Sequence, residues 1–403
     1  MRVLRACIRF VRMKSLAVIA MVAGCASAPF GKPELVYSWN RVEFELGSDD
    51  ARAYETGEVY KHTLLAGVDI DRRGRMFVTT PRWLDARVPA TLSEVIVKDG
   101  APVLRPFPSV QANRVGDRTA FQSVLGVEID SRDRMWILDM GWIAGIDATP
   151  DGAQKLVVID LASGRELARY EFPDAIANRA TSFLNDLAVD DVRGIAYITD
   201  SGNRAGSPTA SGIIVYDLAS NSARRVLDRD PHVQDDPSRT LFVEGERVLP
   251  NGRLAVGING IALSPDGERV FWSITTGDAI YDAPARLLRD PSASAAEIAA
   301  SIHGPRRIGG GSDGMTADSK GRIYATSLSH DAVVVFEPTR AGETTIAEGP
   351  DFAWSDSMTW DAQGRLYVST NHLNHGFAGQ LDFTKPNFRI FRIPTDAHKG
   401  YVH

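Results

Sequence analysis

The sequence predicts an all-β fold, a six-bladed β-propeller of four-stranded blades in which an N-terminal strand closes the last blade. Three observations predict it. One pattern recurs six times along the chain: a small or polar residue, a short apolar strand, an Asp or Ser-Pro turn, and a second strand. Each copy has the composition of a hairpin, two β-rich runs around a turn, and the turn ends in Gly at Asp71–Gly74, Ser264–Gly267, Asp318–Gly321 and Asp361–Gly364. Successive copies begin 43 to 74 residues apart. That spacing leaves room for two further strands per copy, and four-stranded units repeated radially make a propeller.

In chain order the copies are Ala66–Asp71 into Arg75–Val78, Leu125–Asp130 into Met135–Leu138, and Asn185–Asp190 into Ala196–Thr199. Asn259–Ser264 into Val270–Ser273, Asp313–Asp318 into Ile323–Thr326, and Asp356–Asp361 into Leu366–Ser369 complete the set. Lys155–Asp160, Ile213–Leu218 and Val333–Glu337 are candidate outer strands. A ring of blades must close, because otherwise its terminal blades expose unpaired edges. The segment Leu35–Leu46, with Tyr37, Trp39, Val42 and Phe44, is the candidate closing strand, donated to the blade ending at Asn387–Ile393. Pro208–Gly212 and Asp228–Gly252 read as surface loops. A pair of β-sandwiches, the competing fold, leaves six equivalent hairpins unexplained.

The remaining organisation is a signal segment over 1–25, a linker over 26–34, one propeller over 35–398 and a tail over 399–403. With 403 residues, of which 44% are apolar, the chain can bury a large core. The formal charge is −6, and no run of Lys or Arg follows the first fourteen residues, which argues against nucleic acid as a partner. Both cysteines, Cys7 and Cys25, precede the propeller, so its body has no thiol for a disulfide, a structural zinc or nucleophilic catalysis. Met13-Lys14 followed by the apolar run Ser15–Gly24 has the layout of an export signal and is too short to span a bilayer. Val22-Ala23-Gly24-Cys25 resembles a bacterial lipobox, in which the Cys25 thiol is diacylated and becomes the new N-terminus. Cleavage near Ala26 or Ala28 is the alternative, and both lead to export, as a periplasmic or outer-membrane lipoprotein or as a secreted protein. Translation can begin at Met1 or Met13. Membrane contact is expected only through the lipid on Cys25, and the chain is expected to be a monomer.

The words between the hairpins are more specific. Thr79-Thr80-Pro81-Arg82-Trp83 with Val88-Pro89-Ala90-Thr91-Leu92, Gln122-Ser123-Val124, and Met135-Trp136-Ile137-Leu138-Asp139-Met140-Gly141 resemble stretches of the yellow and major royal jelly protein family. So do Lys155–Leu161, Asn185–Asp190 with Tyr197–Gly202, and the ending Ser369-Thr370-Asn371-His372-Leu373 with Asn387-Phe388-Arg389-Ile390. The resemblance runs from about Tyr37 to Ile393. It departs from insect members in lacking their cysteines, Ser131 lying near where one is usual. It departs again in the fourth and fifth copies, where Asn259–Gly267 and Ser312–Met315 look more like the SMP-30 and gluconolactonase propellers.

In a propeller the innermost strand of each blade starts at one mouth of the axial channel, so the first residues of the six copies form a ring: Ala66, Leu125, Asn185, Asn259, Asp313 and Asp356. Two carboxylates and two amides at the axis suit a hard cation such as Ca²⁺. The likeness to SMP-30 implies a divalent-metal set built on Asn185, Asn259 and Asp313, with Asp356 substituting for a Glu where this chain has Ala66. Asn and Asp at loop-to-strand junctions are also ordinary turn residues. The ends of the second strands bring Arg82 with Trp83, Asp139 with Trp142, Asp200, and Asn371 with His372 to the same mouth. Aromatic faces beside carboxylates can hold a cationic amine, which fits the amine and catechol-derived ligands that the yellow resemblance implies. Trp83 and Trp142 can equally be blade-packing residues.

Gly310-Gly311-Ser312-Asp313-Gly314 matches Gly-x-Ser-x-Gly but leads into the fifth inner strand rather than the helix that a nucleophile elbow needs, and the body has no cysteine, so acyl-enzyme chemistry has no evident nucleophile. His372-x-x-His375 has ligand spacing but no acidic partner near it in sequence, and it reads as a loop. Gly309-Gly310-Gly311 lacks the following helix that a phosphate loop needs. The reading is therefore an exported propeller that binds a small polar ligand, an amine or quinone-like compound, at the channel mouth. Any catalysis would be an isomerisation or tautomerisation using Asp313 or Asp356 as acid or base. A metal-dependent lactonase or hydrolase and a cell-surface protein-binding scaffold are the alternatives.

Overall fold

A computed structural model describes residues 29–401; the segment read as an export signal, with Cys25, lies outside that range. The chain forms six four-stranded antiparallel sheets. Blade 1 is Val68–Ile70, Met76–Thr79, Leu92–Lys98 and Ala101–Pro106, and blade 2 is Val124–Ile129, Arg134–Asp139, Lys155–Asp160 and Arg165–Glu171. Blade 3 is Leu184–Asp190, Ile195–Asp200, Gly212–Asp217 and Ser222–Val226, and blade 4 is Ile258–Leu263, Arg269–Ile274, Ile280–Pro284 and His303–Arg306. Blade 5 is Met315–Ala317, Ile323–Ser327, Ala332–Phe336 and Thr344–Glu348. Blade 6 is Ser355–Trp360, Arg365–Thr370, Phe388–Pro394 and, outermost, Glu34–Trp39. The first strands of successive blades touch one another, and that of blade 6 touches that of blade 1, so the six predicted hairpins are the inner halves of a closed ring.

The closing strand is the predicted one but shorter. Glu34 lies opposite Arg392 and Trp39 opposite Phe388. Beyond Trp39 the chain crosses to blade 1, where Leu104 N–H donates to the Glu43 carbonyl and Glu45 N–H to the Leu104 carbonyl, both at 2.8 Å. The Trp39 indole donates to the Pro102 carbonyl at 2.8 Å. One segment thus completes blade 6 and covers the outer edge of blade 1.

The inner hairpins share a local cause. Asp71, Asp130, Asp318 and Asp361 each accept the backbone N–H of the residues two and four positions on, and each pairs with the Arg four positions on, at 2.5 to 2.7 Å. The carboxylate closes the turn while Gly74, Gly321 and Gly364 take the left-handed conformation (φ 82° at Gly74), which Asp133 adopts in blade 2 at φ 55°. Blade 4 substitutes Ser264, whose Oγ accepts from Arg269 N–H at 2.9 Å.

A second repeated feature sets the width of the axis. Gly67, Gly126, Gly260 and Gly314 follow the ring residues. A Cβ on Gly67, Gly126 or Gly260 would lie 2.6, 2.7 or 2.5 Å from the carbonyl oxygen of the next ring residue, Leu125, Asn185 or Asp313. A Cβ on Gly314 would overlap that of Asp356. Adjacent inner strands therefore approach to backbone contact, and this holds each ring residue at a defined place.

Two predicted loops are more ordered than expected. Part of 228–252 forms a small hairpin, Phe242–Val243 with Glu246–Arg247, and buries Leu241, Val243 and Val248 against Trp354 and Leu373. His372 and His375 lie at the start of a short helix, Leu373–Ala378. The segment read as a tail returns to the axis. Lys399 bridges Asp318, Gly400 N–H donates to the Ala317 carbonyl at 3.0 Å, and Lys399 Nζ pairs with Glu128 at 2.6 Å and Asp69 at 3.5 Å. Asp69 and Glu128 lie three residues beyond Ala66 and Leu125, about 10 Å down the strand, so this segment plugs the channel at the end away from the ring. Among the described residues no helix is long and apolar enough to cross a membrane.

Candidate functional site

Five of the six predicted ring residues, Leu125, Asn185, Asn259, Asp313 and Asp356, line a cavity of about 310 Å³ at the open mouth of the channel. Ala66 is fully buried between blades and takes no part. Trp83 and Trp142, left open between ligand contact and packing, both line the cavity. Trp83 packs at a tilt against two further aromatic rings, Phe183 at 5.9 Å and Phe377 at 6.1 Å between centroids, and Phe377 meets Trp354 edge-on at 5.8 Å. These rings, with Leu84, Leu249 and Leu254, make an apolar wall above a polar floor.

The floor is a hydrogen-bonded network. Asp313 Oδ1 accepts from Asn259 Nδ2, which also donates to Thr275 Oγ1 at 2.8 Å. Asp313 Oδ2 accepts the Trp354 indole N–H at 2.6 Å. Asp356 Oδ2 accepts from Asn371 Nδ2 at 2.7 Å, and that amide also holds the Leu65 carbonyl at 2.9 Å. Asn185 Nδ2 donates to Ser201 Oγ at 3.0 Å. Burial pushes the Asp313 carboxyl up to about 6, although its Trp354 and Asn259 donors pull the other way. Burial and the neighbouring Asp313 charge hold Asp356 well above the carboxylate range, against the bond from Asn371. Below the ring, burial pushes Asp186 up to about 7. Burial thus brings both floor carboxyls closer to neutrality than surface carboxylates, which suits them to exchange a proton with a ligand.

Hydrogen bonds within the floor compete with the expected cation set. Ca²⁺ takes six to eight oxygens, whereas here the amide nitrogens of Asn259 and Asn371 and the indole of Trp354 direct N–H groups at the two carboxylates. Ala66 contributes no oxygen. The floor is arranged to fix two carboxyls by hydrogen bonds, leaving their remaining lone pairs toward the cavity.

Asp139 and Asp200 were expected at the mouth, and the structure places them behind it. Asp139 is fully buried, accepts from the N–H groups of Gln122, Ser123 and Gly141 at 2.7 to 2.9 Å, and pairs with the fully buried Lys155 at 3.3 Å. Asp200 accepts from Ser182 Oγ and from the N–H groups of Phe183 and Gly202, and pairs with Arg225 at 2.8 Å. Each carboxylate ties the end of a second strand to the loop entering its blade, which uses its oxygens inside the protein. Arg82 likewise spends its guanidinium on the carbonyls of Val88, Pro89, Asn113, Phe121 and Gln122. Asn371 acts through Asp356, and His372 turns away toward Glu244.

Sequence reading missed Trp354 and Phe183, although a signal existed. Each precedes a ring residue by two positions, Asp356 and Asn185, and that shared offset of an aromatic in two copies was the signal. Asp186 also had a signal, since the position after the ring residue is Gly in four copies and Asp here. Phe377, Leu249 and Leu254 come from the helix and the insert, where no repeat predicts them.

Comparison with known proteins gives a consistent answer. The family model described as Major royal jelly protein matches residues 122–402. Major royal jelly protein 3 of Apis mellifera is 30% identical over 260 residues, covering 62% of this chain and 44% of that protein, so the chain spans less than half the length of this relative. Protein yellow of Drosophila guanche is 26% identical over 415 residues, covering 94% of this chain and 68% of that one. Among solved structures, a gluconolactonase from Xanthomonas campestris superimposes over 91% of this chain and 96% of its own, with a TM-score of 0.49 at 14% identity. The repeats, the words between them and the family match agree: this chain belongs to the major royal jelly protein family, the family of the yellow proteins.

Proposed function

We propose that the mouth cavity binds a small planar molecule, an amine or a quinone-like compound, and that Asp313 and Asp356 shift a proton on it in an isomerase or tautomerase reaction. One observation carries this reading: a cavity of about 310 Å³ whose wall is aromatic and whose floor is acidic. That volume lies near the lower end for small-molecule sites, about 300 to 1,000 Å³. Trp83, Trp142 and Trp354 line the cavity and supply aromatic surface for a conjugated ligand, and a cationic group gains from aromatic rings and the floor carboxylates. In a 1,3-proton shift the protonated carboxyl gives a proton to one ligand atom while the ionised one takes a proton from another. The pair ends with the same number of protons, and no oxidant or reductant is consumed.

The test is a tryptophan-fluorescence titration with aromatic amines and quinone-like compounds, paired with NMR observation of deuterium uptake into the bound ligand. Binding that weakens at least tenfold in Asp356→Asn supports the reading, and exchange abolished in that variant supports turnover. A protein that binds neither class, or that binds Ca²⁺ and hydrolyses lactones with Asp313→Ala losing both together, rejects it in favour of the metal-dependent hydrolase. Unchanged function on altering both floor carboxyls points instead to a scaffold acting through its rim.

The same reading places the propeller outside the cytoplasm, as a monomer, held to a membrane through a lipid on Cys25 or released after cleavage. Incorporation of labelled fatty acid that disappears in Cys25→Ser supports the anchor. Export without label supports secretion.

A further inference from the structure

We propose that Glu244, His372 and His375 form a transition-metal site, taking Zn²⁺ or a similar first-row ion, that fastens the insert between blades 3 and 4 to blade 6. The two histidines are three apart in sequence, while the acidic partner comes from 128 residues earlier and is supplied only by the fold. Glu244 Oε2 lies 2.6 Å from His375 Nε2 and 3.6 Å from His372 Nδ1, and the three ligand atoms all lie within 4.8 Å of one another. Ligand atoms around tetrahedral zinc stand about 3.3 Å apart, so a small opening of the Glu244–His375 contact admits the ion. Two imidazoles and one carboxylate favour zinc and its neighbours over the oxygen-seeking Ca²⁺ and Mg²⁺, and they leave a fourth position for water.

Two further observations support a built site. Glu244 sits with Gly245 in a two-residue hairpin turn in which both have positive φ, 53° and 75°, and this points the carboxylate away from the hairpin toward the helix. Asn374 donates to Glu244 Oε2 at 2.9 Å, orienting the carboxylate from outside the ligand set as partners of metal-binding groups do, while its own Oδ1 is buried without a partner. One neighbour opposes the ion. Arg389 Nη1 bonds His372 Nε2 at 3.1 Å, while its other nitrogen faces Asp351 at 3.3 Å. Metal on Nδ1 requires the ring proton on Nε2, so Arg389 must release that ring and turn to Asp351.

The site joins two of the elements that wall the mouth cavity. The hairpin bearing Glu244 leads into Leu249 and Leu254, and the helix bearing His375 continues to Phe377; all three line the cavity. A bound ion would hold these walls at a fixed separation. This inference stands on the ligand geometry and is independent of what the cavity binds.

Untagged full-length protein titrated with Co²⁺, and with Zn²⁺ in competition, tests it. The expected result is one ion per chain, visible absorption bands of nitrogen- and oxygen-bound Co²⁺ that Zn²⁺ displaces, and a metal-dependent rise in Tm. His375→Gln and Glu244→Gln should each weaken binding at least tenfold and abolish that rise. Arg389→Gln, which removes the opposing cation, should tighten binding severalfold. Circular dichroism of each variant shows that it is folded, and the competition in wild-type protein needs no variant at all. Wild-type protein that takes up no Co²⁺ at millimolar concentration, or folded variants that bind as tightly as wild type, would overturn the proposal.

Discussion

The Trp354 indole donates to Asp313 Oδ2 at 2.6 Å, so an aromatic residue of the cavity wall directly tunes an acid of its floor. The bond favours the ionised carboxylate and restrains a pKa that burial has pushed up to about 6. Trp354→Phe keeps the ring and removes the donor. A hydrogen bond to a charged group contributes about 1.5 to 3 kcal/mol, so Asp313 should titrate about one unit or more higher in this variant. Carboxyl-selective NMR titration reads this directly, and an unmoved Asp313 would mean that the indole bond does not govern its charge.

The buried floor acids should make the protein more stable in mild acid. Ordinary Asp groups in the unfolded chain titrate near 4, whereas Asp313 is raised to about 6, Asp186 to about 7, and Asp356 well above its usual range. Between those limits the folded chain binds more protons than the unfolded one. The stability they contribute is therefore full below about pH 4 and is lost as pH rises through the folded pKa values. For Asp313 alone the shift corresponds to about 3 kcal/mol. Asp186→Asn and Asp356→Asn should each narrow the gap in Tm between pH 5 and pH 8; parallel curves for wild type and variants would exclude this origin.

Lys399 is the plug of the far channel end. Its side chain is 10% exposed, and although burial pulls its pKa down, Asp69 and Glu128 hold the ammonium above its ordinary value. Lys399→Met leaves Asp69 without its cation, while Glu128, which burial pushes up to about 8, can take up a proton instead, so the cost in urea unfolding should fall toward the lower end of the about 3 to 5 kcal/mol for breaking a buried pair. Adding Asp69→Asn and Glu128→Gln should recover much of that loss, because the penalty lies in stranded charge. A Lys399→Met protein as stable as wild type would show that the plug is not anchored by this pair.

Gly314→Ala probes the axial contact. The residue is not among the glycines with positive φ, so the cost is steric: the added Cβ overlaps the Asp356 carbonyl. Overpacking of this kind costs about 1 to 3 kcal/mol, and here it also shifts a floor acid. Gly74→Ala, in an open turn at φ 82°, adds backbone strain without touching the axis. Both variants should lose stability, but only Gly314→Ala should weaken ligand binding at the mouth.

The hairpin repeat, the closing strand and the ring were legible because each is local. Asp71 with Arg75 is a turn that closes within five residues, and the ring follows once every inner strand starts at the same mouth. Asp139 and Asp200 were misplaced for a reason of geometry. A residue at a strand end can face the axis or the neighbouring loop, and the loop backbones of Gln122, Ser123, Phe183 and Gly202 capture these two carboxylates before they reach the mouth.

By itself, then, the sequence determined the number of blades, how the ring closes, the family, and the four polar residues at the axis, since alternation and turn chemistry act over a few residues. Tertiary structure alone decided three matters: that the wall includes Phe377, Leu249 and Leu254, that Lys399 seals the far end, and that Glu244 meets His372 and His375. Each joins segments that lie far apart along the chain, and such contacts are selected by how the closed ring packs its inserts and ends, on which no local periodicity bears.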